Sequence, residues 1–172
     1  MKRRELLRAG AVASAGFALA GRIPAVAARV AESAAAPGLS TADRAIVAAI
    51  APVMLAGALP AEAQQKRAAV QEVVDGVSRL VAGLPPHLRK EVGKLFMLLD
   101  LAPARRFLAG VSQPWPEASP EEINAFLERW RDHPVPLLRS AYLALHDMII
   151  GAWYALPESW PAIGYPGAPK LR

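Results

Sequence analysis

The chain has 172 residues, a net charge of +5, 53% apolar and 20% charged side chains, and no cysteine. Such a length and composition suit one packed domain and exclude both a polar disordered chain and a large enzyme with a separate cofactor domain. The missing cysteine excludes disulfides, thiolate metal sites, iron–sulfur clusters and a cysteine nucleophile.

A pI near 10.0 invites a nucleic-acid reading. The charge distribution argues against it. The first 27 residues hold Lys2, Arg3, Arg4, Arg8 and Arg22 against Glu5 alone, a balance of +4, which leaves +1 for the remainder. No nucleic-acid partner is therefore expected.

The same 27 residues have the layout of a secretory leader. Lys2, Arg3 and Arg4 form a positive start. Residues 9–21 are mildly apolar and rich in Ala and Gly. Ala25-Val26-Ala27 is a small-x-small site for signal peptidase, which would leave Ala28 as the new N-terminus; Ala18-Leu19-Ala20 is a second such site. The string from Lys2 to Arg8 resembles the twin-arginine export motif. Arg3 and Arg4 supply the pair, Leu6 and Leu7 the apolar positions, and Arg8 the following base, with Leu6 where the motif prefers Phe. The competing reading is a cytoplasmic helix with a basic start. The apolar run is short for the roughly 20 residues of a membrane span. Twin-arginine export carries folded proteins, so either this chain or a partner must load a cofactor first. The chain offers no evident cofactor site, which points to a partner.

The organisation predicted is a signal peptide over 1–27, a flexible arm over 28–39, a helical bundle over 40–157 and an irregular tail over 158–172. Ser40 to Asp43 read as a helix start. Ile46, Val47, Ile50, Val53 and Met54 follow at helical spacing, with Pro52 predicting a kink or break. Residues 61–82 form a second helix, with Val70, Val73, Val74, Val77, Leu80 and Val81 on one face and Gly83 as its stop. Pro85 and Pro86 open a third, whose face is Leu88, Val92, Leu95, Phe96 and Leu99; Pro103 breaks it. Residues 110–119 read as a loop.

Ser119-Pro120-Glu121-Glu122 is the strongest local signal: a Ser cap, Pro at the first helical position, and a Glu that closes a capping box. Ile123, Phe126, Leu127 and Trp130 form that helix's buried face. The last helix, roughly 136–155, repeats Leu137, Leu138, Ala141, Tyr142, Leu145, Met148, Ile149, Ala152 and Trp153. No segment alternates like a strand. The fold expected is all-α, a single bundle of about five helices with an irregular Pro/Gly/aromatic C-terminal tail.

No catalytic constellation emerges. His87, His133 and His146 are far apart, and His146 and Asp147 are adjacent on a helix, where side chains do not face each other. There is no phosphate loop, no dinucleotide fingerprint, no nucleophile elbow and no metal-ligand spacing. Arg105-Arg106 suits a phosphate, a partner's carboxylate or a plain solvated helix end. Trp130 and Trp153 sit in apolar stripes and read as core. Trp115, Trp160 and Tyr165 sit in Pro/Gly-rich segments, where they either fold down as a lid or anchor a partner.

The C-terminal sequence runs His146-Asp147-Met148-Ile149-Ile150-Gly151-Ala152-Trp153-Tyr154, then Leu156-Pro157-Glu158-Ser159-Trp160, then Ile163-Gly164-Tyr165-Pro166-Gly167. With the leader, Leu84 to Arg89 and Phe126 to Trp130, it resembles the gluconate 2-dehydrogenase subunit 3 group. That resemblance implies a non-catalytic accessory subunit. Its partner would be a large, leaderless FAD dehydrogenase of the glucose–methanol–choline (GMC) type, carried through the twin-arginine translocase as a passenger. FAD is then expected in the partner and no cofactor in this chain. A cytochrome c subunit joins the complex in some members. Location is expected to be periplasmic, with any membrane association coming through the complex. Trp153, Tyr154, Trp160, Gly164, Tyr165, Pro166 and Gly167 are the residues expected at the partner contact. The alternative is a free-standing periplasmic helical protein that binds a small apolar ligand between its helices. An autonomous hydrolase ranks behind both, since no nucleophile–base pair can be named.

Overall fold

A computed structural model describes residues 38–167. The export residues Arg3, Arg4, Leu6 and Leu7, the cleavage residues Ala25 and Ala27, and the arm up to residue 37 lie outside the described residues.

The first described helix starts where the cap chemistry demands. The Ser40 hydroxyl accepts from the Asp43 amide at 3.2 Å, and Asp43 Oδ2 accepts from the Ser40 amide at 3.1 Å. This reciprocal box opens α1 (Thr41–Met54) and satisfies the buried Asp43. Leu39 belongs to the fold as well: its amide donates to Ser78 Oγ at 3.1 Å. The flexible arm therefore does not extend to residue 39. Pro52 does not break α1. It lies in the last turn, where only one helical hydrogen bond is forgone, and the helix ends at the Leu55 cap.

The second helix, α2 (Ala63–Gly83), is capped by Glu62, whose carboxylate accepts from the Gln64 and Gln65 amides at 2.9 and 2.8 Å. The third, α3 (Pro86–Asp100), has Pro at its first position. The break after α3 comes at Leu101, two residues before Pro103. A short α4 (Ala102–Ala104) then runs into a π-helical turn at Arg105–Ala109, closed by Gly110. The loop that follows is not structureless: Trp115–Glu117 is a 3-10 turn. Ser119 and Glu122 form the expected capping box at 3.2 and 3.3 Å and open α5 (Pro120–Arg131). The last helix is α6 (Pro136–Tyr154).

The fold is all-α. Among the described residues, five helices of 12 to 21 residues are joined by α4 and the π turn, which brings the count to seven rather than about five. The two extra segments arise because the extended backbone at Leu101 ends α3 and the chain resumes as a short helix and a π turn.

α1 is the central element and touches α2, α3, α5 and α6. Its Ile46, Val47 and Ile50 are fully buried, against Val73, Val74 and Val77 of α2 and Leu145 and Ile149 of α6 in one core. Each such side chain contributes roughly 1.5–3 kcal/mol by leaving water. All four residues assigned to the α5 face are buried. The stripes of α2, α3 and α6 are only partly used: Leu80, Leu88 and Leu137, read as members of them, are 46%, 43% and 49% exposed.

Candidate docking surface

The end of α6 divides two adjacent aromatic residues. Trp153 is buried among the core residues, 4% exposed, whereas Tyr154 is 43% exposed. Neighbouring helical positions point roughly 100° apart, so only one of the two can face the core. Trp153 is thus a core residue that supports the surface from beneath. Its expected place at a partner contact is corrected accordingly.

Beyond α6 the chain turns back over its own helix end. Ala155 caps α6, and the Leu156 amide donates to Trp153 O at 3.0 Å. A 3-10 turn, Pro157–Ser159, follows, with Ser159 buried and its hydroxyl donating to Leu156 O at 2.8 Å. Trp160 then reaches back, and its indole N–H donates to the Tyr154 carbonyl at 3.0 Å. A second 3-10 turn, Pro161–Ile163, ends at Gly164 in the left-handed region, φ +68°. This lets the Tyr165 amide return to Trp160 O at 3.0 Å. The Tyr165 ring meets Trp160 edge-on, centroids 5.2 Å apart, a favoured aromatic arrangement. Gly167 closes the wrap, since a Cβ there would lie 3.2 Å from the Trp160 ring.

The tail up to Gly167 is therefore ordered, though without a repeating period. Pro157 and Pro161 set the backbone of both turns. Trp160, half-buried, is its organising centre. Tyr154, Ile163 and Tyr165 form the outer face at 43%, 55% and 46% exposure, with Gly164 and Pro166 also exposed. Glu158 is the sole charged residue between Tyr154 and Gly167. Ile163 escapes a reading of the sequence as periodic stripes. Its signal is an isolated apolar residue between the turn formers Pro161 and Gly164.

The other candidates fall elsewhere. Trp115 folds inward, 3% exposed, with its indole N–H on Leu99 O at 2.9 Å. Trp130 is core and donates to Leu108 O at 3.1 Å. His133 Nδ1 accepts from the Val135 amide at 3.1 Å and shapes the turn before α6. His146, half-buried, and the exposed Asp147 do meet, at 3.1 Å, contrary to the helix-geometry expectation. Arg105 and Arg106 occupy the π turn, not a plain helix end. Among the described residues, no group of three or more Asp, Glu and His could hold a metal ion.

Two adjoining clefts of about 450 Å³ each run along the outer face of α1. Ala48, Ala49, Pro52 and Val53 form one wall, and Pro116, Ala118 and Pro120 line the other. Both clefts are open to solvent, and neither involves the tail. No protein-family model matches the chain, and no curated protein and no solved structure matches it either.

Proposed function

We propose that this chain is a non-catalytic accessory subunit of an oxidoreductase complex. It binds a leaderless FAD-dependent dehydrogenase of the GMC type, carries it through twin-arginine export, and stays with it in the periplasm as its small subunit. The observation that carries this reading is the pre-organised face of Tyr154, Ile163 and Tyr165, built around Trp160. An exposed aromatic face whose backbone is already fixed loses little ordering entropy on docking. Aromatic residues of this kind are the usual anchors of protein interfaces. The export-type leader and the lack of a nameable nucleophile–base pair support the same reading. FAD belongs to the partner, and a cytochrome c subunit would take the electrons onward where one is present.

The alternative, a free-standing binder of a small apolar ligand, would use the two open clefts along α1, and capture of the chain alone from its host would favour it.

The test begins with the neighbouring reading frames: one of them should encode a leaderless flavoprotein, which is then co-expressed with this chain. Flavin and dehydrogenase activity are then measured in the periplasm. Ile163→Ser with Tyr165→Ser should leave the helical protein folded and strand the flavoprotein in the cytoplasm. Arg3→Lys with Arg4→Lys should retain both proteins. Normal export of the dehydrogenase with either double variant refutes the escort role. Affinity capture from the native host should bring down a yellow partner several times larger than this chain.

A further inference from the structure

Among the large hydrophobic residues described, Phe107 is the most exposed, at 82%, and Leu108 beside it is 44% exposed. They sit in the π turn Arg105–Ala109. Short π turns are rare and frequently mark functional positions.

This turn is held in place from outside. Trp130 of α5 donates its indole N–H to the Leu108 carbonyl at 3.1 Å, and Arg129 Nη1 donates to the Ala109 carbonyl at 3.0 Å. Val111 closes the turn by donating its amide N–H to Arg105 O at 3.0 Å. Ala109 and Val111 are buried at its base. Phe107 is thus presented on a pinned backbone, and no frayed loop explains its exposure.

Within the turn itself the charge has one sign. Arg106 is exposed in the same turn, and Arg105 lies beside it with its Nε buried. Between Leu101 and Pro116 the chain carries no carboxylate. Neither arginine is in an ion pair among the described residues. A second copy of the chain would bring like charges together, so self-association by this turn is disfavoured. A projecting aromatic with an adjacent aliphatic and a free guanidinium suits an anionic lipid surface. The ring and Leu108 enter the headgroup boundary while Arg106 meets lipid phosphate.

We infer that the Arg106-Phe107-Leu108 turn is a weak, reversible docking point for an anionic membrane surface. The inference stands independently of the tail and of the dehydrogenase reading. No helix among the described residues is long and apolar enough to cross a membrane, so this contact is peripheral.

The absence of cysteine makes the test site-specific. Ser112→Cys, exposed just beyond the turn, carries an environment-sensitive fluorophore in the full chain, with Ser140→Cys, exposed on α6, as the comparison. Phosphatidylglycerol vesicles should shift emission to the blue at position 112 and not at position 140. Phosphatidylcholine vesicles should shift neither. Adding Phe107→Ser or Arg106→Gln should weaken the response at 112 several-fold, and raised salt should do the same. Equal shifts at both positions, or none, overturn the proposal. So does an equal response to inorganic phosphate, which would make the turn a simple anion site. A response to polyglutamate with none to vesicles would assign it to an acidic protein. Amide hydrogen exchange of the unaltered chain is the independent check. Residues 105–111 should gain protection on phosphatidylglycerol vesicles, and unchanged exchange there on vesicle-bound protein refutes the inference.

Discussion

Gly76 of α2 lies so close to Ala152 of α6 that a Cβ added to Gly76 would fall 2.9 Å from the Ala152 Cβ. This contact brings together the two longest helices and lies one residue before Trp153. Neither partner has a flexible end that can swing aside. Gly76→Ala gains about 1 kcal/mol of helix propensity but incurs overpacking of about 1–3 kcal/mol. We expect a net loss of up to about 2 kcal/mol in chemical denaturation from these opposing effects. Adding Ala152→Gly should recover part of it. A double variant no better than the sum of its singles would show that the contact does not limit the packing.

The Arg44 guanidinium hydrogen-bonds Asp75 and joins α1 to α2. That bond holds the Asp75 carboxyl below its ordinary value. Burial works against it, while Gln71 and the charges of Arg44 and Arg79 add to it. A depressed folded pKa gives stability that is complete above the unfolded value of about 3.9 and is lost as pH falls through the folded value. The two side chains are 32% and 37% exposed, so screening limits the pair to no more than about 1 kcal/mol. Asp75→Asn should lower the melting temperature slightly at neutral pH. The difference should vanish once acid has protonated Asp75 in the folded protein. An offset that is the same at both ends of a pH series would exclude this linkage.

Trp115 fills the core end of α1 and stacks edge-on with Phe126, centroids 5.5 Å apart. Its indole N–H also satisfies the Leu99 carbonyl at the end of α3. Trp115→Phe keeps most of the ring but leaves that carbonyl buried without its donor, a loss of about 1–3 kcal/mol. Trp115→Ala should cost about 3–5 kcal/mol. Urea titration of the two variants separates the hydrogen bond from the packing. Equal losses would mean that the bond contributes little.

Gly164 separates global stability from tail order. Its φ of +68° penalises any Cβ, yet nothing packs within 4 Å of the position a Cβ would take. Gly164→Ala should therefore strain the backbone locally by about 1–2 kcal/mol. The expected outcome is a nearly unchanged melting temperature together with faster hydrogen exchange of the Tyr165 amide, which donates to Trp160 O. Unaltered exchange there would mean that the return of Tyr165 to Trp160 does not depend on this turn.

Much of the helix layout was legible from short-range chemistry. The Ser40–Asp43 and Ser119–Glu122 boxes act over three residues, so they can be read directly. The valine stripe of α2 and the four-residue face of α5 were equally plain, because a helical period requires no knowledge of the partner. The C-terminal tail was legible as a set of residues and not as a shape. Its turns depend on Trp160 reaching back six positions to Tyr154 O.

Local pattern settled that the chain is helical, where its capped helices begin, and which apolar stripes exist. The packed fold alone decided which side of each stripe was used. It left Tyr154 outside, folded Trp115 down onto Leu99, and raised Phe107 on a turn held by Arg129 and Trp130. The last two outcomes rest on bonds between residues 16 to 22 positions apart. Burial is a property of two surfaces meeting. One stripe can announce that it is apolar, but what covers it, and where the cover stops, is set by the other element.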